Sequence, residues 1–297
     1  MSFVHLPFIS PPEVCHHSRC KLAVTAMTIT YIAILAIVLY LSAGIKLGLR
    51  LAKGAQAIRY KGVFLGLGFA AIALHAWVLY QNLFVVNGLN MGIFNALSLL
   101  SWIIASLILV SSFTQPVENL SIAALPLAAL ALILELAFPS SPEAHLVSRD
   151  VPDGLKIHIL ISILSYSLFT IAACQAVLLA VQNKHLHSKR PGGFVRTLPP
   201  LETMETLLFR MISVAFVLQS ISVVSGIMYL RDMFAQHLVH KTVLSIAAWL
   251  VFGILLIGRW RFGWRGRTAI RWTMSGFVTL LLAYLGSKWV LEVLLGR

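Results

Sequence analysis

Residues 22–44 read LAVTAMTITYIAILAIVLYLSAG, twenty-three residues without a charged side chain. A helix needs about 20 mostly apolar residues to cross the hydrocarbon core of a bilayer. Further stretches of the 297-residue chain have the same character. We therefore predict an all-α protein, a polytopic membrane helix bundle of about eight transmembrane helices. The other spans are expected at about 62–84, 91–112, 119–138, 157–181, 205–230, 240–258 and 272–295.

The composition excludes a water-soluble protein. Apolar residues make up 59% of the chain and charged residues 11%, with a mean hydropathy of +0.89. A soluble domain has roughly 45–50% apolar and about 25% charged residues. The high apolar content also excludes a disordered chain, and the three cysteines are too few for a disulfide scaffold. The lipid bilayer is therefore the expected partner of most of this chain.

The net charge of +13 is distributed asymmetrically. Fourteen Lys and Arg residues lie in the connections after spans one, five and seven, whereas the segments on the opposite side hold eight. Because positive residues remain on the cytoplasmic side of a membrane, we expect both termini to face outward. The basic clusters are better explained as topology determinants and lipid-headgroup contacts than as a nucleic-acid surface, so no nucleic-acid partner is predicted.

The first residues differ in character from the spans. Two cysteines and two histidines lie close together in PPEVCHHSRC (11–20), a set that could ligate a metal. The spacing is loose and no second ligand pair follows, so we favour a tail without a metal. We expect residues 1–21 to be an N-terminal tail and residues 22–297 to form the integral membrane domain. Met27 offers a second start for the native chain.

Histidines in the outer half of the predicted bundle are the main candidate site residues. His75 lies about 13 residues into span two, and His158 opens span five at the outer surface. His237 and His240 lie on the outer side before span seven. Ionisable groups inside a membrane are costly and are functional candidates, and neutral imidazole ligates metals, including haem iron. The alternative for each one is a hydrogen bond to a neighbouring helix.

Other polar and small residues are weaker candidates. Glu135 near the outer end of span four could relay protons or hold a cation, but we favour an interfacial carboxylate. Gly62 and Gly66 form G-x-x-x-G, which predicts a close helix contact. Trp249 could stack on a porphyrin, although packing is the preferred role. A polar stripe in span six is a further candidate that would serve helix packing equally well; it consists of Gln219, Ser222 and Ser225.

Three stretches carry a resemblance to a known family. They are HAWVLYQNLFVVNGLNMGIFNALSLLSW (75–102), GLKIHILISILSYSLFTIAA (154–173) and HKTVLSIAAWLVFGILLIGRWRFGWRGRTAIRW (240–272). The first places a membrane His before an outer loop and a helix that ends in SW, and the second begins an outer-facing helix with IH. The chain thus resembles the CcsA/CcmC-type cytochrome c assembly proteins, which handle haem, and most of all their YpjD-like branch in the bacterial inner membrane.

The resemblance implies haem as cofactor and other cytochrome c assembly components as partners. His75 corresponds to the intramembrane haem ligand of the family and His158 to its first outer ligand, while His240 is a further candidate for a lost ligand. The chain departs from the family at 231–239, RDMFAQHLV, where the tryptophan-rich WWD loop is missing. It also lacks the second outer His late in the chain.

Haem handling linked to cytochrome c maturation or haem homeostasis is the leading functional hypothesis. The protein would hold or relay haem without catalysing a bond change, so we do not expect an enzyme. No phosphate loop, zinc-protease motif or nucleophile triad is found in the sequence. A membrane scaffold or regulator that does not bind haem is the first alternative. A small-solute transporter is the second, but the near absence of midplane charge does not favour it.

Overall fold

The computed structural model describes residues 13–53, 60–85, 88–139, 146–148, 151–187, 198–229 and 239–283. Within these ranges the backbone forms eight α-helices and three short strands. The helices are α1 (Glu13–Lys53), α2 (Tyr60–Leu83), α3 (Ile93–Ser111), α4 (Ser121–Ala137), α5 (Asp153–His187), α6 (Leu201–Tyr229), α7 (Val239–Phe262) and α8 (Gly266–Leu281).

Seven of the described helices are long and apolar enough to cross a membrane, so the chain is a multi-pass membrane protein. The predicted all-α bundle is confirmed, whereas the orientation of the termini stays a prediction. The eighth predicted span, 272–295, is described only to residue 283, and α8 begins before its predicted start. The seven segments are Met27–Leu49, Lys61–Leu83, Ile93–Ser111, Glu118–Ala137, Asp153–Leu186, Leu201–Tyr229 and Lys241–Phe262.

The helices pack as two groups of four. The first group, α1–α4, has a core that includes Tyr40, Phe64 and Leu132. The second group, α5–α8, has a core in which Phe169 of α5 stacks on Phe252 of α7 with ring centroids 3.9 Å apart. A smaller apolar cluster joins the groups through α3, the start of α4, α5 and α6; its members include Ile108, Leu120, Ile171 and Leu207.

The outward faces of the helices are apolar as well. Large side chains such as Tyr31 and Val38 on α1, and Val224 and Ile227 on α6, are exposed. A water-soluble protein rarely exposes so much contiguous apolar surface. In a bilayer these side chains contact lipid, and the helices satisfy their own backbone hydrogen bonds.

The expected close contact at Gly62 and Gly66 is not found. A Cβ atom at either glycine would have no described heavy atom within 4 Å. Gly68 is instead the position where α2 packs closely on α3, because a Cβ atom there would be 2.7 Å from Leu109 Cδ1 on α3. The motif prediction fails because sequence spacing does not say which face of α2 turns towards its neighbours.

Three short strands connect the ends of the two helix groups. Strands β1 (Phe84–Val85) and β2 (Gly88–Asn90) follow α2 and pair antiparallel. Strand β3 (Leu146–Ser148) comes before α5 and pairs antiparallel with β2. Sequence analysis does not predict these strands, because segments of two or three residues carry no periodic signal. The sheet therefore links the α2–α3 connection to the segment that leads into α5.

Candidate functional site

His75 lies fully buried on α2, inside the first group of helices. Its Nδ1 atom is 3.1 Å from the hydroxyl oxygen of Tyr40 on α1, and its Nε2 atom is 2.9 Å from the hydroxyl oxygen of Ser98 on α3. A neutral imidazole has one donor and one acceptor nitrogen, so two hydroxyl partners satisfy it completely. A metal ion could bind His75 here only after Tyr40 or Ser98 gave up its hydrogen bond.

A carboxyl group is buried in the same group of helices. Glu135 on α4 is 3% exposed, and its Oε1 atom accepts a 2.8 Å hydrogen bond from Asn82 Nδ2 on α2. Its Oε2 atom is buried with no hydrogen-bond partner among the described residues. Glu135 is therefore enclosed between helices near the end of α4, while its depth in the membrane stays a prediction. Packing of α4 on α1 and α3 turns this face of the helix inward, which hydropathy alone does not reveal.

His158 lies near the start of α5 and is half-buried. Its Nδ1 atom is 2.9 Å from the hydroxyl oxygen of Ser225 on α6. The backbone of Ser222 is a further hydrogen-bond partner of the ring, and no side chain among the described residues forms a hydrogen bond with Nε2. Helix α6 thus holds the ring through Nδ1, which is the arrangement that metal-binding histidines use to fix their orientation.

Hydroxyl and amide side chains continue from His158 along the contact between α5 and α6. The hydroxyl oxygens of Ser162 and Ser222 are 2.7 Å apart, and Ser162 also donates to the carbonyl oxygen of His158 at 2.7 Å. Ser165 donates to the carbonyl oxygen of Ala215 at 2.9 Å and lies 3.2 Å from Gln219 Oε1. The polar stripe of span six therefore contributes to the packing of α6 on α5, one of the two roles left open by the sequence.

Trp249 joins α7 to α6. Its Nε1 atom donates a 2.8 Å hydrogen bond to the hydroxyl oxygen of Ser220, and its ring system stacks on Phe216 with centroids 5.5 Å apart. The preferred packing role of Trp249 is confirmed.

The structure does not join His75 to His158. Helix α2 packs on α1 and α3, whereas α5 packs on α3, α6 and α8. No hydrogen bond or ring contact connects the two described imidazoles. At 1.5 Å per residue, His75 is about 12 Å from the C-terminal end of α2 and His158 about 8 Å from the start of α5. A haem held between both histidines therefore stays a prediction.

Two further sets of predicted candidates cannot be placed. His240 belongs to the first turn of α7, but its side chain lies outside the described residues, and so does the whole of His237. The same holds for the side chains of the Cys and His residues in 11–20. Glu135 and the partners of His75 and His158 are the residues that sequence analysis failed to connect, because these contacts join helices far apart in the chain.

Most of the chain matches a known protein family. Residues 65–295 match the family described as Cytochrome C assembly protein. The chain belongs to the cytochrome c assembly protein family. The resemblance predicted from the sequence is thereby confirmed, and His75, His158 and His240 all lie within the matched residues.

Individual relatives agree with this assignment. The inner membrane protein YpjD of Escherichia coli (strain K12) is 31% identical over 225 residues, which are 75% of this chain and 82% of the relative. Protein HemX of Brevibacillus brevis is 22% identical over 218 residues, 71% of this chain and 80% of the relative. The cytochrome c biogenesis protein CcsA of Chlamydomonas reinhardtii is 25% identical over 205 residues, covering 66% of this chain and 56% of that protein. No solved structure matches the chain significantly.

Proposed function

We propose that this protein holds or relays haem in the bacterial inner membrane and that this role is linked to cytochrome c maturation or haem homeostasis. Membership of the cytochrome c assembly family supports haem handling. The name of the E. coli relative supports the inner membrane, and the name of the CcsA relative supports cytochrome c biogenesis. Other cytochrome c assembly components are the expected partners. The proposal assigns no covalent chemistry to the chain, so the protein is not expected to be an enzyme.

The surroundings of His158 carry this proposal. Ser225 holds the Nδ1 atom at 2.9 Å and fixes the ring together with the backbone of Ser222, while Nε2 meets no side-chain hydrogen-bond partner in the described part of the chain. The neighbouring Ile157 and Leu160 are exposed and apolar, which suits the flat face of a porphyrin. When bound, haem would supply an iron atom that could be held by an imidazole nitrogen of His158. His158 therefore fits the role that the family resemblance implies.

His75 would take part only after a local rearrangement. Its two ring nitrogens are occupied by Tyr40 and Ser98. A serine hydroxyl is a small group that can rotate towards a helix carbonyl oxygen, so Ser98 is the partner that would more easily release the imidazole. We therefore expect His158 to contribute more than His75 to haem affinity.

Absorption spectroscopy of the detergent-purified protein, oxidised and reduced, tests the proposal. The wild type, produced with a supply of haem, should show a Soret band. The band should be lost or shifted in His158→Ala and retained in the control His185→Ala, which removes a histidine from the opposite end of the same helix. Added imidazole should restore the band of His158→Ala, since the free ligand replaces the missing ring. A wild type without haem, or a His158→Ala variant with an unchanged spectrum, would contradict the proposal.

A scaffold or regulator without haem is the second candidate function. The complete hydrogen bonding of His75 by Tyr40 and Ser98 favours it, because the imidazole then serves helix packing. The absence of a tryptophan-rich segment at 231–239 is consistent with it. This candidate predicts a haem-free wild type and a cellular phenotype that survives replacement of both His75 and His158. A transporter is less well supported, since each candidate span is one uninterrupted helix and transporter sites use broken helices.

A further inference from the structure

A cavity of about 400 Å³ lies between α5 and α8, and neither His75 nor His158 lines it. It lies at the C-terminal end of α5 and at the start of α8, on the side that the Lys and Arg distribution predicts to be cytoplasmic. Its lining residues are Ala180, Asn183 and Lys184 on α5, and Arg267, Ile270 and Arg271 on α8.

The cavity is basic and contains no compensating acid. Three of the six lining residues are cations and none is acidic. Lys184, Arg267 and Arg271 form no ion pair with any other residue in the described ranges. Arg267 and Arg271 are four residues apart on one helix, where like charges repel each other. An anion bound between the two helices would remove this repulsion.

The other lining residues indicate which anion fits. Ala180 and Ile270 are apolar and can contact a hydrocarbon chain. The three cations of the cavity can contact a phosphate group. Asn183 adds an amide that can donate hydrogen bonds to phosphate oxygens. The exposed Trp260, at the end of α7 and just before α8, belongs to the residue type that marks the headgroup level of a membrane. A headgroup with an attached acyl chain matches this combination better than a free ion.

We propose that the cavity between α5 and α8 binds the phosphate group of an anionic phospholipid. The guanidinium groups of Arg267 and Arg271 and the ammonium group of Lys184 contact the phosphate, while the acyl chains lie along the apolar surface of the bundle. Basic pockets between transmembrane helices on the cytoplasmic side are known to hold such headgroups. The proposal is independent of haem binding, because the cavity shares no residue with the surroundings of His75 or His158.

Lipid titration of the full-length purified protein, followed by native mass spectrometry, tests this site. Dioleoyl phosphatidylglycerol should bind more tightly than zwitterionic dioleoyl phosphatidylcholine. Replacing Arg267 and Arg271 together by Gln should weaken binding of phosphatidylglycerol by about fivefold for each cation removed. The charge-matched control Lys46→Gln with Arg261→Gln removes two exposed cations outside the cavity and should leave the dissociation constant unchanged. Lys184→Gln, on the other helix, gives an independent test if the double variant fails to fold.

Several outcomes would overturn the proposal. Equal losses in the cavity variant and in the control variant would show that only the overall charge matters. Equal affinity for the two phospholipids would show that the cavity does not select a net negative headgroup. Displacement of phosphatidylglycerol by inorganic phosphate at comparable concentration would show that the site takes a free anion and not a lipid. Replacing Arg267 and Arg271 by Lys should retain most of the affinity, because the charges remain.

Discussion

Removal of the Tyr40 hydroxyl tests whether its hydrogen bond holds the imidazole of His75 in place. Tyr40 and His75 are both fully buried, and their hydrogen bond of 3.1 Å connects α1 to α2. The substitution Tyr40→Phe keeps the ring, which meets the imidazole edge-on with centroids 5.8 Å apart. It therefore removes one hydrogen bond and changes little else.

The expected cost follows from the burial of both partners. A hydrogen bond between side chains of a membrane bundle contributes about 0.6 kcal/mol on average and about 1.7 kcal/mol at most. Nδ1 of His75 would lose its described partner at a fully buried position, and an unpaired buried polar group costs about 1–3 kcal/mol. We expect Tyr40→Phe to lower the free energy of unfolding by about 1 kcal/mol.

Unfolding in mixed micelles with increasing SDS, followed by circular dichroism, measures this change. A double-mutant cycle with His75→Leu isolates the coupling between the two side chains, which should be about 1 kcal/mol. The matched control is Tyr80→Phe on α2, where the side chain is exposed. The control should change the stability by less than about 0.5 kcal/mol.

Two results would refute the reasoning. A Tyr40→Phe protein as stable as the wild type would show that the hydroxyl does not hold the imidazole. A coupling energy near zero in the cycle would show that any loss arises from the Tyr40 site alone. In either case His75 would have a nitrogen free for a ligand, and its participation in haem binding would no longer require a rearrangement.

Two further predictions concern the second group of helices. Gly276→Ala should destabilise the protein by about 1–3 kcal/mol, because the new Cβ atom would lie 2.8 Å from the buried ring of Phe252. Gly66→Ala is the control, since its new Cβ atom would have no described heavy atom within 4 Å. The control should be neutral or stabilising in the same SDS titration. Glu205→Ala should cost about 1–3 kcal/mol, since Glu205 Oε1 accepts the backbone N–H of Gly266 at 2.7 Å. Glu205→Gln keeps an acceptor oxygen there and should cost less; equal losses in both variants would contradict this account.

Much of the fold is predictable because hydropathy is a local property. Each of the seven candidate spans is a continuous apolar segment, so its approximate ends can be read without knowing its neighbours. The pairing of spans is not local, and the sequence contains no equivalent signal for it. The sequence motif predicts a helix contact at Gly62 and Gly66, but the contact in the structure is that of Gly68 with Leu109.

For the candidate site too, the histidines can be identified from the sequence but their partners cannot. A histidine within an apolar span stands out in the sequence, so His75 and His158 can be identified without a structure. Their roles differ only because of their partners. His75 meets hydroxyl groups on two other helices, whereas His158 meets one, on α6. Residues 35, 23 and 67 positions away supply these partners.

The sequence by itself determined that this chain lies in a membrane, about how many spans to expect and which histidines lie in its spans or at their ends. It also carried the family resemblance, because motif residues are read directly from the chain. Only the tertiary structure decided that His75 is fully hydrogen-bonded, that Glu135 is enclosed and that three cations meet between α5 and α8. The physical reason is that apolar character belongs to each segment alone, whereas hydrogen bonds and charge clusters depend on which helix faces come together.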